Sequence, residues 1–153
     1  MALEIGATAP DFALKDEHGQ LIGLSDLRDE RNVVVVFFPF AFSRTCTDEL
    51  CEIRDNIGMF ESGDVQVLAV SCDPVHSLRA FSEQEMYAFP MLSDFWPHGA
   101  TAQAYDVFNQ TSGSAVRGSF LIDRQGIVRW SVVNGMGDAR PLTAYREGLA
   151  ALL

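Results

Sequence analysis

The chain has 153 residues, a formal net charge of −10 and an apolar share of 48%, with 11 phenylalanines. That length suits one compact domain spanning residues 1–153, and the apolar share can fill a core, which excludes a disordered chain and a disulfide-stapled miniprotein. Asp and Glu total 21 against 11 Lys and Arg, an excess that opposes binding to nucleic acid or anionic membranes.

Other features narrow the class. No apolar run approaches the roughly 18–20 residues of a membrane span. The opening MALEIGATAP lacks a charged stretch followed by an apolar one, so no signal peptide is read and the cytosol is the expected compartment. Lys15 is the only lysine beside ten arginines; arginine keeps its charge and makes planar, forked hydrogen bonds. The cysteines are Cys46, Cys51 and Cys72, an odd number that makes a poor disulfide framework and suits free thiols in a reducing compartment.

In chain order, residues 11–15 and 20–24 read as a hairpin around Glu17-His18-Gly19, and Ser25 is placed to cap a short turn through Leu27. Residues 33–38, VVVVFF, form an unbroken β-branched and aromatic run without alternation, which predicts a central strand buried on both faces. Pro39 ends it. From about 45 to 60, Cys46, Leu50, Ile53, Ile57 and Phe60 recur at steps of three and four, which predicts one amphipathic helix stopped by Gly63. A second buried strand is expected over Val65–Ser71. Asp73-Pro74 then opens a helix to about Met86, with the proline in its first turn. Residues 89–94 read as a short strand and turn, and 100–105 as helical. Residues 116–122 and 127–133 read as a hairpin joined by Asp123-Arg124-Gln125-Gly126. A helix over 142–152 closes the chain. Early strand–helix alternation with a late hairpin implies a mixed α/β sheet with helices on both faces, an order that the thioredoxin-like architecture matches.

Cys46 is the residue with a mechanism. It follows a buried strand by a short loop and opens a helix, where unpaired N–H groups and the helix dipole favour an anion. A small buried hydrophobe on the apolar stripe explains the same position, and both readings stand on spacing alone.

The neighbouring residues carry a resemblance. Pro39-Phe40-Ala41-Phe42-Ser43-Arg44-Thr45-Cys46 resembles the peroxiredoxin pattern P-x-x-x-[TS]-x-x-C. Gly6-Ala7-Thr8-Ala9-Pro10-Asp11-Phe12, Phe89-Pro90-Met91-Leu92-Ser93-Asp94, and Arg117 before a strand ending Leu121-Ile122-Asp123 follow in the family's order, so that the resemblance covers nearly the whole chain. Ser93-Asp94-Phe95-Trp96-Pro97-His98-Gly99 is most similar to the alkyl hydroperoxide reductase E type. The resemblance implies a thioredoxin-like fold and a thiol peroxidase acting on hydrogen peroxide, alkyl hydroperoxides or peroxynitrite. Cys46 would be the nucleophile and pass through a sulfenic acid. Ser43 and Arg117 would be hydrogen-bond donors to the peroxide, and Pro39 would shape and shield the pocket. Each has a plainer role as well: an N-cap for Ser43, an exposed strand arginine for Arg117, a strand terminator for Pro39. Ionisation alone cannot explain a fast peroxidase. An ordinary thiol is about 3% ionised at pH 7, so full ionisation gains only about 30-fold, and the rest must come from donors aimed at the stretching O–O bond. Glu49 and Arg140 are supporting residues by the same resemblance, or else an exposed pair; an isolated carboxylate beside Cys46 would oppose a thiolate and needs a cation.

Cys51 poses the mechanistic choice. Resemblance to the bacterioferritin-comigratory group of peroxiredoxins, whose members often carry a second cysteine five residues after the first, implies a resolving role; E-type members usually lack it. Five helical residues mean about 7.5 Å of rise and about 140° of rotation, whereas a disulfide needs Cα atoms within about 7 Å. A Cys46–Cys51 bond therefore requires the first turns to unwind. Packing as a small residue is the other reading of Cys51, and Cys72, after its buried strand, reads as structural.

His18, His76 and His98 are scattered, so no metal site is expected; there is no C-x-x-C and no Gly-rich phosphate loop, and no cofactor is expected. The resemblance implies a thioredoxin-like or mycoredoxin-like reductant or a low-molecular-weight thiol, and a homodimer through the loop face near the site, which Phe40, Phe42, Phe95 and Trp96 would suit if exposed. A non-catalytic redox sensor or binding module on the same fold is the rival expectation.

Overall fold

The computed structural model describes residues 3–152. Its strands are β1 (Ala13–Lys15), β2 (Leu21–Gly23), β3 (Asn32–Phe37), β4 (Val65–Ser71), β5 (Met91–Ser93), β6 (Phe108–Asn109), β7 (Ser114–Ala115), β8 (Arg117–Ile122) and β9 (Val128–Asn134). Its helices are α1 (Arg44–Asp55), α2 (Ile57–Ser62), α3 (Val75–Glu85), α4 (Ala100–Ala104) and α5 (Leu142–Ala150), with a 3-10 turn over Leu24–Leu27. Seven strands form one sheet in the order β2-β1-β5-β4-β3-β8-β9, and β6 pairs with β7 alone. β3 pairs in parallel with β4 and antiparallel with β8.

The valine run explains β3's central place. Val34, Val36 and Phe38 face one core layer with Cys46, Leu50, Ile53, Phe60, Leu78, Phe81 and Tyr145 of the helices α1, α2, α3 and α5. Val33, Val35 and Phe37 face the opposite layer, built from the N-terminal segment, α4, Val107 and Phe120. Side chains alternate along a strand, so an unbroken apolar run must be covered on both sides, and helices lie on both faces of the mixed sheet as expected. Gly118, next to Arg117, is needed for this covering: a Cβ there would lie 2.8 Å from Val107 Cγ1.

Three local expectations are corrected, and one element is new. The helix expected over 45–60 is two, because Asn56 leaves helical geometry (φ −122°, ψ 26°) while its side-chain amide donates to the Glu52 carbonyl, a local bond that competes with the helix ladder. Ser25 does not cap the first turn, which starts at Leu24; Asp26 instead accepts from the Gly23 N–H at 3.1 Å. Pro74 stands before α3 as its extended N-cap residue rather than in its first turn. The hairpin of β6 and β7 is an element whose two-residue strands are too short to show any periodicity.

Candidate active site

The site is built where β3 ends. Pro39 is buried two residues after the strand ends, and the chain turns through Phe42, which adopts a left-handed backbone (φ 68°) while its ring packs 5.0 Å from that of Phe81. Asp73, in the β4–α3 connection, fastens this turn by accepting the Ala41 N–H at 2.8 Å and the Ser71 hydroxyl at 2.6 Å. Ser43 then caps α1, its Oγ accepting from the Cys46 N–H at 3.4 Å, and its carbonyl accepts from the Thr47 N–H at 2.9 Å. The cap uses an oxygen lone pair and leaves the hydroxyl proton available to donate. Cys46 thus sits in the first turn of α1, fully buried.

Arg117 opens β8, the antiparallel neighbour of β3, and reaches across to this turn. Its Nη1 donates to Cys46 Sγ at 3.2 Å and to Glu49 Oε1 at 2.6 Å, and its Nε donates to the Met136 carbonyl at 2.7 Å. Arg117 is therefore a buried residue rather than an exposed strand arginine. Glu49, one turn after Cys46, is also held by Arg140. The Arg140 peptide N–H donates to Glu49 Oε2 at 2.5 Å, its Nε to the same oxygen at 3.0 Å and its Nη2 to Oε1 at 3.0 Å. Glu49 and Arg140 are thus buried partners and not an exposed pair. Burial works to raise the Glu49 carboxyl, but hydrogen bonds and charge from Arg140, and charge from Arg117, outweigh it and hold the group below its ordinary value. Two guanidiniums against one carboxylate leave one positive charge, and Arg117 presents it to the sulfur.

A model of the AhpC/TSA family matches residues 5–131, a stretch that contains Cys46 and Arg117. The alkyl hydroperoxide reductase E of Mycobacterium bovis is 45% identical over 150 residues, 98% of each chain. The chain belongs to the AhpC/TSA family, the peroxiredoxins. It is accordingly a thiol peroxidase. The solved structure of peroxidoxin BcpB from Mycobacterium tuberculosis superposes with a TM-score of 0.85 at 29% identity, covering 98% of this chain and 96% of that one. Enterococcus faecalis AhpC, at 24% identity and a TM-score of 0.89 over 99% of this chain and 93% of its own, shares the thioredoxin-like fold.

This peroxiredoxin has a back wall to its site that sequence reasoning did not find. Arg140 Nη1 donates to the Phe37 carbonyl at 2.7 Å and to Ser119 Oγ at 2.9 Å, and Ser119 Oγ lies 2.9 Å from the Tyr145 hydroxyl. Ser119 is a lone polar residue within the otherwise apolar stretch Gly118 to Ile122, a signal that was present in the sequence. The carbonyls of Phe37 and Met136 carry no side-chain signal at all. The other two cysteines lie apart from this cluster. Cys51 is half-buried on α1, donating to Glu85 Oε1 at 3.3 Å. Cys72 is buried after β4, where burial and then the Asp94 charge push its thiol up to about 12. All three are free thiols. Phe40, Phe42, Phe95 and Trp96 are exposed. Among the described residues no cluster of three or more His, Cys, Asp or Glu could hold a metal ion, and no helix is long and apolar enough to cross a membrane.

Proposed function

We propose that Cys46 is the nucleophile of this peroxidase, with Arg117, Ser43 and Pro39 around the reacting oxygens and Glu49 and Arg140 as the frame that aims Arg117. The observation that carries this reading is the Arg117 Nη1 shared between Cys46 Sγ and Glu49 Oε1. The sulfur attacks the terminal peroxide oxygen. The S–O bond forms as the O–O bond breaks; sulfur is oxidised to the sulfenic acid and the peroxide is reduced, its departing oxygen taking a proton to leave as water or an alcohol. Negative charge moves from sulfur to the departing oxygen during this step. A fixed guanidinium touching the sulfur and a hydroxyl on the preceding turn meet that charge without reorganising. Pro39, with no N–H, walls the pocket without adding a competing donor to the sulfur. Cys46 has no exposed surface, so peroxide reaches it only when the residues packed around it part.

Hydrogen peroxide, alkyl hydroperoxides and peroxynitrite are the oxidants this site suits. The sulfenic acid returns to the thiol through a thioredoxin-like or mycoredoxin-like protein or a low-molecular-weight thiol. Cys51 resolves it first, as a Cys46–Cys51 disulfide that forms after the first turns of α1 unwind. The exposed rings of Phe40, Phe42, Phe95 and Trp96 suit a homodimer contact on the face of the site, and three free thiols suit the reducing cytosol. Stopped-flow tryptophan fluorescence with hydrogen peroxide tests the nucleophile: Cys46→Ser abolishes the fast phase, and a wild-type rate in that variant overturns the assignment. Cys51→Ser leaves the peroxide step intact and alters recycling only. Peptide mass spectrometry after one equivalent of peroxide tests the resolving role; a lasting sulfenic acid without a Cys46–Cys51 link overturns it.

A further inference from the structure

Helix α1, whose first turns must unwind, is tied from outside at three points. Thr47, Cys51 and Arg54, at steps of four and three, face the end of α3. The Tyr87 hydroxyl donates to the Thr47 carbonyl at 3.3 Å, and its oxygen lies 3.7 Å from Cys51 Sγ. Cys51 donates to Glu85 Oε1 at 3.3 Å, and Arg54 Nη1 donates to the Glu85 carbonyl at 2.6 Å. Between Glu85 and Tyr87, Met86 ends α3 in a left-handed conformation (φ 54°) and is 77% exposed, while its neighbours on either side turn to α1. Tyr87 is itself fixed, its ring packed 5.2 Å from those of both Phe81 and Phe89. A rigid phenol thus grips a carbonyl of α1 one residue after Cys46.

We propose that Tyr87, together with Glu85, is a latch on α1 that sets how fast the helix unwinds once Cys46 is oxidised, and so divides the sulfenic acid between two fates. The inference rests on the reading of Cys51 as the resolving thiol. In the first fate the Cys46–Cys51 S–S bond forms, the Cys46 S–O bond breaks, and the hydroxyl leaves as water with the Cys51 thiol proton. In the second, another peroxide oxidises the sulfenic acid to the sulfinic acid and leaves as water or an alcohol. The first cannot occur until the tie to Thr47 and the tie to Cys51 are both released, because the two cysteines are too far apart on an intact helix. The second needs no unwinding. The thiol's own state supports the same arrangement: burial pushes the Cys51 thiol above its ordinary value, the Tyr87 hydroxyl works against this and the Glu85 carboxylate adds to it. While latched, Cys51 is held as a poor nucleophile. Tyr87 and Glu85 are positioning residues; neither touches the peroxide.

Tyr87→Phe keeps the ring packing and removes only the hydroxyl. The disulfide is followed by mixing the full chain with one equivalent of hydrogen peroxide, quenching in acid, alkylating and counting Cys46–Cys51 linked peptide by mass spectrometry. Losing one such hydrogen bond accelerates disulfide formation by about 3- to 10-fold. Under excess peroxide the sulfinic acid formed per turnover falls by the same factor, while the stopped-flow rate of the peroxide step is unchanged. Glu85→Gln acts in the same direction. Tyr105→Phe is the control, because its hydroxyl donates to the Pro10 carbonyl at 2.7 Å and packs in the opposite core layer; it loses a comparable bond and leaves disulfide formation unchanged. Equal disulfide rates in wild type, Tyr87→Phe and Glu85→Gln overturn the latch and leave Cys51 as the resolving thiol. Equal acceleration in Tyr105→Phe also overturns it, since general loosening would then explain the effect. Absence of the linked peptide from every one of these proteins overturns the resolving role and the latch together.

Discussion

Arg140 grips both carboxylate oxygens of Glu49, 91 residues away in sequence, and adds its own peptide N–H to one of them. Glu49 is thereby fixed by a second guanidinium besides Arg117, the two sharing Oε1, and Arg117 in turn meets the sulfur from a fixed place. The carboxylate that would oppose an anionic sulfur if alone becomes, with two guanidiniums, the part that aims one of them.

Glu49→Gln keeps the side chain's shape and removes its charge, leaving two buried guanidiniums facing each other. Removing one partner of a buried ionic group is expected to lower stability by about 3–5 kcal/mol, read as a shift in the denaturant midpoint. The peroxide step slows by about 100-fold as Arg117 loses its aim, measured by stopped flow. Arg117→Lys, which keeps a charge but not the fork that reaches both the sulfur and the Met136 carbonyl, slows it to a similar degree.

The acid response of the same pair of proteins checks the electrostatics. The Glu49 carboxyl is held below its ordinary value of 4.5 in the folded chain, so its contribution to stability is fully present above about that pH and is lost as pH falls through the folded value. The stability gap between wild type and Glu49→Gln is therefore expected to be constant from neutral pH down to about 4.5 and to narrow below it. Denaturant unfolding followed by circular dichroism across pH 3–7 measures it; a gap that narrows well above pH 4.5 contradicts the arrangement.

Ser43 is expected to have two separable effects. Ser43→Ala removes the cap of α1, lowering stability by about 1 kcal/mol, and removes a donor beside the sulfur, slowing peroxide reduction by about 10- to 100-fold. Ser43→Gly restores most of the capping stability but not the rate, and Ser43→Thr restores both. Thermal unfolding and stopped flow on the three variants separate the cap from the donor.

Cys72 is expected to be inert in the folded protein. Its thiol is pushed up to about 12, so iodoacetamide at pH 8.5 leaves it unmodified until the chain is unfolded in denaturant, as read by intact and peptide mass. The sign of its effect on stability is opposite to that of Glu49: its contribution is fully present below the ordinary thiol value of 9.0 and is lost as pH rises towards 12. Cys72→Ala should flatten that alkaline loss.

Much of the fold was legible because its elements are long and buried. The valine run before Pro39 announced a two-faced central strand, and Val65–Ser71 is a strand with the expected bounds. Elements decided by one local hydrogen bond were not legible. Asn56 breaks the α1–α2 stretch through its amide, and Asp26 rather than Ser25 serves the first turn; both are choices among side chains of similar propensity. Of the site, Pro39, Ser43 and Cys46 lie within eight residues and could be read as one pattern that resembles a known family.

By itself the sequence determined the mixed α/β class, the buried central strand and the position of Cys46 at the start of a helix, because apolar periodicity and capping are properties of neighbouring residues. The family resemblance singled out Arg117 and Arg140 among the ten arginines, but only the tertiary structure decided what they touch: Cys46 Sγ and Glu49 for Arg117, Glu49 for Arg140. Arg117 and Arg140 are separated from Cys46 by more than 70 residues of chain, and neither propensity nor periodicity separates them from solvated surface charge. They become site residues because β8 pairs with β3, and because a buried carboxylate on α1 must be met by cations that the chain can bring to it only by folding.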